Sequence, residues 1–223
     1  MISKLFCPGL LNTGFLSDKV MAVRDGIVNF YILKSPEGLI CIDTGWRPAC
    51  VSRAFKMLGL NIRNVAGVFL THLHWDHARC LQMFPDAKVF VGECDNLSVL
   101  AKQLAPKQIS KKVEDAQMLT IGGFTVRVVN TPGHTAGSVS YVVDQTLLFT
   151  GDTLCLKRGK VLPFPYGLKQ DRKKLDQSIQ NLARIKGVEC LLTAHSGMSR
   201  DIKNAFSQWQ EPADDLLPAG DKL

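Results

Sequence analysis

The chain holds five histidines among 223 residues, and each follows a short apolar run that reads as a β-strand. His72, His74 and His77 come after VAGVFL, with Asp76 beside them in THLHWDH. His134 comes after TVRVVN in TPGHTAG, and His195 closes VECLLTAH. Asp152 follows TLLFT in the same way. Open α/β sheets commonly collect their ligands beyond the carboxyl ends of the strands, and by analogy these strand ends are expected to form one site.

The remaining pattern fits such a fold. Val28, Phe30 and Ile32 share one face of IVNFYIL, and LICID returns after SPEG as a hairpin ending in Asp43-Thr44-Gly45. Val51, Ala54, Phe55 and Leu58 recur at helical spacing until Gly59. AKVFV, a hairpin turning at Gly122-Gly123, and the pair SVSYVV and TLLFT add further strands. Helices are expected over ECDNLSVLAKQL, behind an Asp171 cap with Leu175, Ile179 and Leu182, and around Ile202, Ala205, Phe206 and Trp209. Residues 105–116 and 156–170 read as loops. No linker or repeat divides the chain. The expectation is one α/β domain over residues 1–210, two mixed sheets face to face with helices on the outer faces, and a flexible tail over 211–223.

Composition narrows the classes. A chain 46% hydrophobic and 21% charged is not a disordered one. No apolar run reaches the roughly 20 residues of a membrane span. Pro8, Gly9 and Gly14 break the first apolar pieces, so no secretory signal is expected and the location expected is cytoplasmic. The 7 cysteines include no C-x-x-C pair and read as reduced, mostly buried thiols. The net charge of +7 favours an acidic partner.

The polar groups themselves suggest a metal centre. In an extended loop His72 and His74 point to the same side and reach one ion, while Asp76 and His77 aim at a second ion a few ångströms away. His134 completes a three-histidine site, His195 joins Asp76 and His77, and Asp152 has two oxygens with which to bridge. Such donors suit zinc first and iron or manganese second. Ligands from several loops leave positions open for water and substrate, as catalysis requires.

THLHWDH also matches an H-x-H-x-D-H signature, and the likeness continues through Asp43-Thr44-Gly45, TPGHTAGS, TGDT and TAHSG. On these motifs the chain resembles the metallo-β-lactamase superfamily. The resemblance implies an αββα sandwich with two zinc ions at one edge of the sheets. It places His72, His74 and His134 on the first metal, Asp76, His77 and His195 on the second, and Asp152 between them. Asp43 matches an aspartate that supports the ligands from outside, giving a metal-bound imidazole an acceptor for its other N–H. The implied reaction is attack by a bridging hydroxide, with Asp76 or Asp152 shuttling the proton.

Among the chemistries of that superfamily, hydrolysis of a small ester, thioester or lactone fits best. Glyoxalase II-like hydroxyacylglutathione hydrolases share all these ligands and take an acidic substrate. The alternative is an acyl-homoserine lactonase, for which Tyr166 is the candidate to polarise the lactone, packing being its other role. A mononuclear-iron persulfide dioxygenase, a β-lactamase, a nuclease and a non-catalytic metal-binding module rank lower. Asp152 argues against the β-lactamase, the lack of an aromatic-interleaved basic patch against the nuclease, and the intact ligand set against the binding module. The expected partner is a small anionic molecule, with neither nucleic acid nor membrane. Lys111-Lys112 and Lys173-Lys174 read as solvated faces, and Lys157, Arg158 and Lys160 as exposed. Trp75 is expected to pack under its loop, and Cys80 and Cys155 to be buried bystanders.

Overall fold

The computed structural model describes residues 9–96, 110–165 and 170–210. Strands β1 (Gly14–Phe15), β2 (Val20–Asp25), β3 (Val28–Ser35) and β4 (Gly38–Ile42) form an antiparallel meander. Helix α1 (Pro48–Met57) crosses to β5 (Val65–Phe69), which lies parallel to β4. The short α2 (Trp75–Ala78) leads to β6 (Lys88–Gly92), and β7 (Ser110–Val113) forms the edge, both strands again parallel to their neighbours.

The second sheet holds β8 (Met118–Ile121), β9 (Phe124–Asn130), β10 (Val139–Val143) and β11 (Leu147–Phe149). A separate hairpin, β12 (Leu154–Lys157) and β13 (Lys160–Pro163), precedes α3 (Arg172–Ala183). Then β14 (Cys190–Leu192) pairs parallel to β11, followed by β15 (Met198–Ser199) and α4 (Ile202–Ala205).

Period-two alternation builds the layers. Along β3, Phe30 and Ile32 pack toward α1, whereas Tyr31 and Leu33 enter the space between the sheets. Phe124, Val126 and Val128 of β9 and Val139, Tyr141 and Val143 of β10 fill that space from the other side. Helix α3 lays Leu175, Ile179 and Leu182 over Val142, Leu148 and Leu191 on the far face. The architecture is the expected αββα sandwich.

Two buried tyrosines stitch the sheets together at one edge. Tyr141 donates from the second sheet to the Leu70 carbonyl at 2.8 Å, and Tyr31 donates from the first to the Thr193 carbonyl at 2.7 Å. A buried hydroxyl is costly without a partner. Each tyrosine here finds one two residues before a histidine, His72 or His195. Backbone bonds Val139 N to Thr71 O (2.9 Å) and Asn29 N to Ala194 O (2.7 Å) close the same edge.

Several local expectations need correction. Within the expected 105–116 loop, residues 110–113 form β7, an edge strand whose exposed Lys111 and Lys112 hide its β character and guard the edge. Within 156–170, residues 160–163 pair with β12, the chain reversing at Arg158 and Gly159, both at positive φ. Pro163 is tolerated in that isolated two-stranded ribbon. Strand β2 extends the first hairpin upstream through a two-residue turn at Gly26 and Ile27. The final helix is shorter than its periodicity suggests, although Ala205 and Phe206 are buried with Ile202 and Trp209 packed against them. The body of the ECDNLSVLAKQL helix, Cys7 and the 211–223 tail lie outside the described residues. No helix among the described residues is long and apolar enough to cross a membrane.

Candidate metal centre

All seven expected ligands converge at the stitched edge. His72 and His74 lie in the loop after β5, Asp76 and His77 on α2, His134 after β9, Asp152 after β11 and His195 after β14. They fall into two groups. His72, His74, His134 and Asp152 offer ligand atoms within 4.8 Å of one another, as do Asp76, His77 and His195. Asp152 faces both: Oδ2 lies 3.4 Å from His134 Nε2 and 3.9 Å from His72 Nε2, and Oδ1 lies 3.1 Å from His195 Nε2 and 3.4 Å from His77 Nε2. Asp76 Oδ2 is 3.5 Å from His195 Nε2 and 3.7 Å from His77 Nε2.

The donor chemistry fits metal ions. His74 Nδ1 lies 2.9 Å from His72 Nε2 and 3.0 Å from His134 Nε2. Three imidazole edges aimed at one point cannot all be satisfied by one another, because each neutral ring has a single N–H. Buried His77 Nε2 and Asp152 Oδ1 have no hydrogen-bond partner, a costly arrangement unless something else takes their lone pairs.

Outer partners fix the rings in the required form. Asp43, at φ 62° in the left-handed region, accepts from the Thr71 backbone N–H at 2.8 Å and from Thr71 Oγ1 at 2.9 Å. With its proton committed to Asp43, Thr71 Oγ1 accepts from His72 Nδ1 at 3.1 Å. Asp43 Oδ2 also takes His77 Nδ1 at 2.8 Å. His195 Nδ1 donates to the Ile27 carbonyl at 2.6 Å. In each case the Nδ1 proton has an acceptor and the Nε2 lone pair points inward. The Gln170 carboxamide lies 2.7 Å from His134 Nδ1; presenting its oxygen there gives the same result.

Charge differs between the groups. Burial lowers His72, His74 and His134 below the ordinary imidazole range, to about 4 for His134. At His77 burial pulls the same way, but the carboxylates of Asp152 and Asp43 outweigh it and hold the ring well above that range. Burial likewise opposes the charge of Asp152, and the His195 and His77 imidazoles overcome it, holding the carboxyl well below its usual value.

Other expected residues are placed as follows. Tyr166 lies outside the described residues. Lys157 and Arg158 are exposed, while Lys160 bonds to Asn204 and Ser207. Cys80 and Cys155 belong to neither group; Cys80 is buried as expected, whereas Cys155 is only half-buried. Trp75 is not packed under its loop: it is 49% exposed and meets Trp46 edge-on, with ring centroids 4.8 Å apart. Sequence reasoning missed Thr71, Gln170, the Ile27 carbonyl and Phe164, whose ring lies 5.0 Å from His195 and 5.5 Å from His134. Only Thr71, inside THLHWDH, stood in a readable motif.

An αββα sandwich with two abutting histidine–aspartate groups at one sheet edge defines a candidate metal centre. The chain belongs to the metallo-beta-lactamase superfamily, whose family profile matches residues 23–195. It is 28% identical to a lactamase-like protein of Neosartorya fischeri over 91% of this chain and 60% of that one. It is 34% identical to a hydroxyacylglutathione hydrolase of Glaesserella parasuis over 60% of this chain and 52% of that protein. A probable polyketide biosynthesis zinc-dependent hydrolase of Bacillus velezensis is 30% identical over 54% of this chain and 52% of its own. The chain thus spans 52 to 60% of the length of these relatives. Among solved structures, a metallo-beta-lactamase family protein of Thermus thermophilus superposes with a TM-score of 0.67 at 21% identity, over 87% of this chain and 79% of that one, a likeness of fold.

Proposed function

We propose that the protein is a zinc-dependent hydrolase of small thioesters or esters, carrying one ion in each group. The observation that supports this most strongly is Asp152, a buried carboxylate with one oxygen turned to each set of imidazoles. When bound there, divalent ions supply Lewis acidity and bring the ionisation of water toward neutral pH.

The residues of the chain do the rest. Asp43 and Thr71 hold His72 and His77 at fixed angles, and the Ile27 carbonyl holds His195. Both Asp152 oxygens face imidazoles. Asp76 turns Oδ2 to His77 and His195, so the other oxygen of its carboxylate is the one assigned to carry the proton. His74 is the solvent-facing member of the set, so substrate enters on its side. The net charge of +7 draws an anionic substrate toward the protein.

The thioester preference rests on the kinship with a hydroxyacylglutathione hydrolase. Zinc-loaded protein is assayed against S-lactoylglutathione, a homoserine lactone, a β-lactam and a phosphodiester. Thioester turnover that disappears on chelation and returns with zinc is the expected result. Turnover of the lactone or the phosphodiester alone would overturn the thioester reading, and turnover of none would overturn the hydrolase.

A further inference from the structure

Asp25, the last residue of β2, belongs to neither ion group yet is a fully buried carboxylate. Its Oδ2 accepts the backbone N–H groups of Trp46 at 2.7 Å and Arg47 at 2.8 Å, and its Oδ1 pairs with Arg47 Nε. The Trp46 indole N–H donates to the Asp25 carbonyl at 3.1 Å. Gly45, at φ 72°, makes room for this approach, since a Cβ there would stand 2.7 Å from Asp25 Oδ2.

These bonds join two segments, each of which grips one ligand of the second group. The first segment is the Asp43–Arg47 loop. Asp43 accepts from His77 Nδ1, and Thr44 donates through N and Oγ1 to the His77 carbonyl at 2.7 and 2.8 Å. The second segment is the turn at Gly26 and Ile27 with the start of β3. The Ile27 carbonyl accepts from His195, and Asn29 N donates to the Ala194 carbonyl. His77 rides on α2 beside the first sheet, whereas His195 comes from the second sheet. Their separation is therefore set by how the two segments are tied, and Asp25 ties them.

We propose that Asp25 is a positioning residue for the Asp76, His77 and His195 group, fixing His77 against His195 and so setting the affinity of that group for its ion. The inference rests on the two-ion reading above. His134 rests on Gln170, and the first group meets the Asp43–Arg47 loop only at His72, through Thr71, so the effect is larger on the second group than on the first.

The test is stepwise zinc titration of the full chain against a chromogenic chelator, with cobalt(II) absorption spectra reporting coordination geometry. In Asp25→Asn, which keeps the shape and removes the charge, one dissociation constant rises about 10- to 100-fold, the range for outer partners of metal ligands. The other constant rises by a clearly smaller factor. In a His195→Ala background, where only the first group is intact, adding Asp25→Asn produces only that smaller change. Arg47→Ala, which spares the backbone donors to Asp25, acts in the same direction by a smaller factor and serves if Asp25→Asn does not fold. A merely structural role would shift both constants by the same factor, and that outcome, or no shift in either, overturns the proposal. Uptake of a single ion by the unaltered protein removes the two-ion reading, and the proposal with it.

Discussion

His72, His74 and His134 form a group of imidazoles that burial keeps neutral, ready to give lone pairs. Beside them, His77 sits between the carboxylates of Asp43 and Asp152, which favour its charged form against the opposing effect of burial. An ion entering the first group replaces the contacts of three neutral imidazoles with one another, whereas one entering the second meets a ring whose charged form its carboxylate neighbours favour. The supports differ as well. His134 leans on a side chain from just before α3, while His77 and His195 lean on segments from the first hairpin and the loop after β4. Neighbouring sites built from similar ligands can therefore answer differently to substitution.

The largest expected effect comes from the residue that faces both groups. Asp152→Ala brings turnover to background and weakens uptake of both ions in chelator competition. If uptake of either ion were unchanged, Asp152 would not join the groups. Next comes Asp76→Asn, which keeps an oxygen donor but removes the proton carrier. It lowers kcat by about 10²- to 10⁴-fold, while a KM-only effect would remove Asp76 from that role. Asp43→Asn weakens both ions by about 10- to 100-fold, because Asp43 reaches His77 directly and His72 through Thr71. Thr71→Val, measured the same way, weakens only the ion held by His72.

A pH effect separates the surroundings of the groups. Asp95 packs where a Cβ on Gly137, three residues past His134, would stand 2.3 Å from its Oδ1. Burial raises its carboxyl to about 7, Lys112 only partly opposing this. The folded state thus holds a proton that the unfolded chain releases near pH 4, so stability falls as pH rises from about 4 to about 7. Asp95→Asn removes this slope in urea unfolding of metal-free protein and is the more stable form at pH 8. An unchanged slope would contradict the assignment. The smallest effect is that of Asp171→Ala, which removes the cap donated to by Lys174 N. It lowers stability slightly in the same unfolding assay and leaves ion affinity alone.

Much of this was legible in the chain before folding. Strand alternation at Phe30 and Ile32, the α1 stripe and the Asp171 cap are local signals, and local signals translate directly into elements. The convergence of the two histidine–aspartate groups was legible because each member stands at a strand end in a compact motif. What escaped was set by distance in the sequence. Gln170 meets His134 across 36 positions and Ile27 meets His195 across 168, and nothing in either neighbourhood marks the pairing. Asp25 carries no local signal, because only the folded chain puts Trp46 and Arg47 against it. Strand β7 escaped for the opposite reason, since its lysines suit an edge and disguise a strand.

The most direct test of the central claim is anomalous diffraction, at the zinc absorption edge, from crystals of zinc-loaded protein. Two peaks are expected, one among His72, His74 and His134 and one among Asp76, His77 and His195, with Asp152 between them. A lone peak, or zinc bound elsewhere with these side chains turned away, would contradict it.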